Sequence, residues 1–232
     1  LVCAVLLLWF AFYLIMSGVF GDSALPEGMV VELWDEELLD DIPVAIDITP
    51  SGELYVTGGN SFNSGVGDAR DQSFWLADDI ASQSTDDRRA YIEKWMAAGE
   101  LPADWVSNKR DYVRVLTDST GDGKADTATE FATISGLLDG ISAGVLVREK
   151  DVWVSSIPYM WHFRDDDGDG IADQSEKLSS GWGIRAMFLG HDMHGLTFGP
   201  DGKIYFSIGD RGFNVINQEG EALRPPIDNG RG

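Results

Sequence analysis

The chain has 232 residues, 39 of them acidic and 17 basic, for a formal net charge of −22. That length gives room for one medium domain with a real core. The charge argues against nucleic acid as a partner, since phosphate binding needs clustered Lys and Arg. The single cysteine, Cys3, excludes a disulfide framework or a Cys-based zinc site within this chain.

Residues 1–22 open on "LVCAVLLLWFAFYLIMSGVF", a run without charge. About 20 apolar residues suffice to cross a bilayer as a helix. Signal peptide and membrane anchor both remain open, because the basic flank of a signal is missing and "GDSALPEG" offers small residues for cleavage. Either way the rest of the chain is expected to be exported, periplasmic or at the cell surface, with membrane contact only through this segment. The first residue is not Met and the last residues read "PIDNGRG", so a fragment is expected.

From residue 30 to 232 the chain reads as strands. "IDITPSGELYVTGG" (46–59) is an alternating run, a Pro-x-Gly turn and a second β-rich run, a hairpin signature. Residues 60–111 interrupt the pattern. Within them "DDRRAYIEKWMAAGELPADW" (86–105) reads as helix, with Tyr91, Trp95 and Met96 on one face and "GELP" at its end. Two β-like runs, "YVRVLTD" and "TATEFATI", then flank "DSTGDGKAD" (118–126). A degenerate hairpin follows in "GVLVREKDVWVSS" (144–156), with "REKD" at the turn. The Asp-Gly motif recurs as "DDDGDGIAD" (165–173), between "MWHFRDD" and "QSEKLSS". Last comes "HDMHGLTFGPDGKIYFSIGD" (191–210), whose Pro200, Gly202, Tyr205 and Gly209 match Pro50, Gly52, Tyr55 and Gly59.

One unit thus reads strand, turn, strand, loop, strand, Asp-Gly loop, strand. Four antiparallel strands in about 45–50 residues is the size of a propeller blade. The expected fold is all-β, a partial β-propeller of about two and a half blades, with a helical insertion at 60–111 in the first. A propeller needs at least about four blades to close, so an incomplete one is expected.

Asp165, Asp167, Asp169, Gly170, Asp173 and Glu176 fall at the spacing of a calcium loop. Calcium takes hard oxygens, and the glycine permits the turn that aims them inward. The flanks are strand-like, which argues against a helix–loop–helix EF-hand. Tight, soluble Asp–Gly turns are the alternative; crowded carboxylates repel unless neutralised, which favours the ion here. In the first copy Asp118, Asp122 and Asp126 remain, but Thr120 and Thr129 replace ligands, and the turn reading is favoured.

If 200–202 form the turn, Gly199 pairs with Lys203. Counting outward sets His191 opposite Arg211 and beside Asp210, and His194 opposite Ile208. An imidazole beside a carboxylate is a general-base arrangement. By spacing alone, a strand-end polar residue with a backbone partner is the favoured reading for each histidine. Trp153, Trp161 and Trp182 could stack on sugar rings; large aromatics more often fill sheet interfaces.

These last motifs carry a resemblance. "H-x8-GPDGKIYFSIGD-x-G" resembles the soluble quinoprotein glucose dehydrogenases and their glucose/sorbosone dehydrogenase relatives. "DDRRAYIEKW", the repeated "DGDGxAD" and "HDMHGLTFGPDGKIYFSIGDRG" are closer still to the PVC-type, membrane-bound dehydrogenase branch of Planctomycetes and Verrucomicrobia. The likeness covers most of residues 30–232. It implies six blades, pyrroloquinoline quinone (PQQ) as cofactor, and His191 as the base that takes a sugar or alcohol hydroxyl proton. Asp210 would hold that base. It also implies a cytochrome as electron acceptor, with haem c only in a CxxCH module further along. Two positions depart from the glucose enzymes: Gly190 stands where they carry an acid, and Val215 where they carry a glutamine. Those departures keep a second expectation alive, a non-catalytic propeller with calcium-stabilised loops that binds a glycan or a protein.

Overall fold

The computed structural model describes residues 26–35, 37–39, 42–59, 61, 72–102, 104–105, 110–186 and 191–224. Two compact units divide at Glu36 and Glu37. In the first, the described stretch is a turn closed by Met29 N on Pro26 O (3.1 Å), with Val30, Val31 and Leu33 exposed. The expected N-terminal apolar segment, residues 1–22, lies outside the described residues. Among those described, no helix is long and apolar enough to cross a membrane.

The second unit is mostly β. Strands β1 (Pro43–Ile48), β2 (Leu54–Gly59), β3 (Asp111–Thr117) and β4 (Thr127–Ile134) form one antiparallel four-stranded sheet in chain order. Strands β5 (Ser142–Arg148), β6 (Asp151–Ser156), β7 (Tyr159–Arg164) and β8 (Gln174–Ser180) form a second of the same order. Then come two two-stranded pieces, β9 (Met193–Phe198) with β10 (Ile204–Ile208), and β11 (Val215–Ile216) with β12 (Ala222–Leu223).

Turn chemistry sets the hairpins. Gly52 N donates to Thr49 O and Gly202 N to Gly199 O, each at 3.0 Å. Both glycines have positive φ, where a Cβ would be strained. Between β5 and β6 the turn is Glu149–Lys150, with Arg148 paired to Asp151 and Glu149 itself at φ 57°.

The repeat extends to irregularities. β1, β5 and β9 each carry one extra residue against their partner strand, a bulge. β4 and β8 do the same, with Phe131 and Leu178 as the unpaired residues. The first strands of successive sheets pack together, β1 on β5 and β5 on β9. Tyr55, Val113, Val115, Phe131, Val154 and Phe163 fill the space between the four-stranded sheets. Ile157, Met160 and Met193 fill the next interface, flanked by Trp153 and Trp182. These two tryptophans pack between sheets, Trp153 edge-on to Phe198 and Trp182 edge-on to Phe206.

The helices lie between β2 and β3. A 3-10 turn (Ser73–Trp75) runs into α1 (Leu76–Ala81), and α2 (Thr85–Ala97) follows. Ser84 caps α2, its Oγ accepting from Asp87 N at 3.1 Å. Tyr91 and Ile92 are buried with Trp75 and Trp105, and Trp95 and Met96 pack against that cluster. Gly99, at φ 78°, follows the end of α2. The spacing predicts one helix that starts near 86 and ends at "GELP", which α2 matches; α1 and the turn before it are additions of the structure. "SFWLADDIA" has too few turns for a clear period, and its packing on Tyr91 decides it.

Candidate active site

β9 and β10 bring His191 and Asp210 together. His191 Nδ1 lies 2.6 Å from Asp210 Oδ1, and both side chains are partly exposed. The turn closes as the spacing requires, with Gly199 N on Lys203 O at 2.8 Å. The register beyond it differs from simple counting. Phe198 faces Ile204 and Thr197 faces Tyr205, but His194 faces Ser207, not Ile208. The cause is the bulge in β9 between His194 and Thr197, where Gly195 takes φ 70°. Extended outward from Met193 and Ile208, the shifted register sets His191 across from Asp210 rather than Arg211. A Cβ at Gly209 would stand 2.9 Å from His191 O, so the two segments touch backbone to backbone there.

His194 Nδ1 is 3.5 Å from Ser207 Oγ. With Asp192 it lines a cleft of about 340 Å³ at the starts of β1, β5 and β9, otherwise walled by Ile42, Pro43, Val44, Ile141 and Ala143. A tricarboxylate quinone such as PQQ needs cations to hold it. Among the described residues no Lys or Arg lines this cleft, and Arg211 is wholly buried against Asp192. The described residues therefore do not by themselves fit that cofactor. Gly190 lies outside the described residues. Val215 is buried in β11, paired with Leu223, and offers no polar group.

The two Asp-Gly loops fold alike. Asp118 accepts from Gly121 N (2.6 Å) and Gly123 N (2.8 Å), as Asp165 does from Gly168 N (2.6 Å) and Gly170 N (3.0 Å). Asp126 accepts from Ser119 N and Thr120 N, as Asp173 does from Asp166 N and Asp167 N. Asp122 and Asp169 accept from Lys124 N and Ile171 N in the same way. These bonds hold Asp118 and Asp126 below the ordinary carboxylate range, Asp118 chiefly through Gly123 N and Asp126 chiefly through the Ser119 hydroxyl. Only the second loop gathers carboxylates: Asp165, Asp167 and Asp173 bring ligand oxygens within 4.8 Å of one another. Asp169 and Glu176 do not join that triad. Glu176 instead meets His162 Nδ1 at 3.1 Å, while Asp151 meets His162 Nε2 at 2.8 Å.

Asp192 and Arg211 were missed by sequence reading. The available signal was that each candidate residue is followed by a charge of the other's complement, "HD" against "DR". In the structure both of these charges turn inward, with Arg211 Nε 3.4 Å from Asp192 Oδ1.

No curated protein and no solved structure matches the chain. A family described as "Domain of unknown function (DUF7133)" matches residues 22–227. By that match over most of its length, the chain belongs to the DUF7133 family.

Proposed function

We propose that the chain carries the proton-handling half of an exported sugar or alcohol dehydrogenase of the quinoprotein type, built on a β-propeller. The carrying observation is the 2.6 Å contact between His191 Nδ1 and Asp210 Oδ1. A proton on Nδ1, shared with the carboxylate, puts the imidazole lone pair on Nε2. In this reading that nitrogen would take the proton of a substrate hydroxyl. Asp210 fixes the tautomer and stabilises the imidazolium. A quinone, were one held by residues outside those described, would supply the two-electron sink for the hydride. The propeller reading draws on the repeated four-stranded meanders, their matching bulges and the packing of β1, β5 and β9.

The test is dye reduction by the intact protein loaded with PQQ and calcium, across aldoses and alcohols. His191→Ala is expected to lower kcat by about 10²–10⁴-fold. Unchanged turnover in that variant removes the base, and no reduction with any substrate removes the dehydrogenase.

A second reading, a calcium-stabilised binding module for a glycan or protein, is favoured by the Asp165, Asp167 and Asp173 triad and by the buried, apolar Val215. Titration calorimetry should show calcium binding that Asp165→Asn abolishes. Absence of heat at millimolar calcium removes the ion from either reading.

A further inference from the structure

His191 and Asp210 are partly exposed, yet each is followed by a buried charge. Asp192 and Arg211 are 2% and 0% exposed. Arg211 Nε lies 3.4 Å from Asp192 Oδ1. All four residues lie just outside β9 and β10, where the chain turns Asp192 and Arg211 inward and leaves His191 and Asp210 partly exposed. The two segments that carry the candidate base and its acid are thus joined from below by opposite charges. Burial pulls the Arg211 guanidinium down from its ordinary value, while Asp192 opposes that.

Arg211 is also fixed from behind. Arg185 N donates to Arg211 O at 3.0 Å, and Gly183 N to Gly212 O at 2.7 Å. The segment that supplies those donors is in turn held by the helices. Arg88 Nη1 donates to Gly183 O and Ser82 Oγ to Ile184 O, both at 2.9 Å. Asp79 Oδ1 accepts from Ala186 N at 2.6 Å and from the Tyr91 hydroxyl at 2.8 Å. An unbroken series of bonds therefore runs from α1 and α2 to the residue after Asp210.

We infer that Arg211 is a positioning residue for the His191–Asp210 pair, and that the helical excursion between β2 and β3 is the buttress that fixes it. The kinetic consequence rests on the dehydrogenase reading; the geometric consequence does not. The chain has three histidines, so the ring nitrogens can be resolved by ¹⁵N NMR of the labelled protein. In the wild type, His191 is expected as one tautomer with the proton on Nδ1. Arg211→Met is expected to let the two tautomers average, and Arg211→Lys, which keeps the charge, to return the spectrum part of the way.

Removing one partner of a buried pair is strongly destabilising. The double variant Asp192→Asn with Arg211→Met leaves neither charge, so it keeps the test open if the single variant does not fold. It too is expected to average. A single Nδ1–H tautomer in a folded Arg211→Met or double variant overturns the inference. In dye reduction, the same variants should lose kcat on the order of a hundredfold with KM unchanged. Inactive wild-type protein would sink the dehydrogenase and leave the NMR result to decide the positioning role.

Discussion

One hydroxyl position recurs between sheets. Thr57 Oγ1 donates to Ser142 O at 2.7 Å, tying β2 to the start of β5. Ser155 Oγ donates to Met193 O at 2.5 Å, tying β6 to the start of β9. The two are equivalent by register: Thr57 faces Ala45 as Ser155 faces Gly144. Ser155→Ala would leave the Met193 carbonyl buried without this donor, at a cost of about 1–3 kcal/mol. Urea unfolding should show a lower midpoint with the slope unchanged. A cost within error would mean that the hydroxyl is incidental. At this scale the His191–Asp210 contact was legible, because a Pro-x-Gly turn fixes the count outward. The bulge was not, although an isolated glycine inside a strand is its known mark, and Gly195 carried it. Without the bulge, His191 would face Arg211, and the pair would be a diagonal one.

Among the elements, the two Asp-Gly loops show what spacing conveys and what it leaves out. Motif and flanking strands located both loops correctly, since Asp and Gly at fixed intervals dictate a turn that feeds its own N–H groups to its own carboxylates. Whether carboxylates converge depended on one residue, Asp167 against Thr120. Glu176 could not be placed by spacing alone, because β8 continues as a strand and directs it across to His162 on β7. The folded-state depression at Asp118 and Asp126 gives a signed pH effect. A carboxylate held below its unfolded value contributes stability above that value and loses it as pH falls through the folded one. Acidification below the ordinary carboxylate range should therefore loosen the first loop. The protection factors of the Gly121 and Gly123 amides, corrected for intrinsic exchange at each pH, are expected to fall there; unchanged protection would mean that the turn holds without ionised acceptors.

Across the whole molecule, strands were more legible than helices, and interfaces least of all. The runs "TATEFATI" and "QSEKLSS", read as strands beside the Asp-Gly loops, match β4 and β8 to the residue. Periodicity found α2 but not α1, which owes its place to Asp79 bonding Tyr91 and Ala186. No local pattern announces a contact between a helix and a loop so far along the chain. The buried Asp192–Arg211 pair escaped notice for the same reason, since burial belongs to the assembled sheets and not to either dipeptide.

The excursion between β2 and β3 also bears on the order of assembly. β6 reaches β7 across Ile157 and Pro158, while β2 must wait for the chain from Gly59 to return at Asp111. Loop-closure entropy makes the longer return dearer by about 3 kcal/mol. The sheet of β5 to β8 can therefore form from neighbours alone, early and without help. The sheet of β1 to β4 gains its third strand only once the helices have folded back or a neighbouring surface holds β2 in place. Synthesis runs the other way, delivering β1 and β2 first. Thr57 meets its acceptor at Ser142 only when β5 arrives.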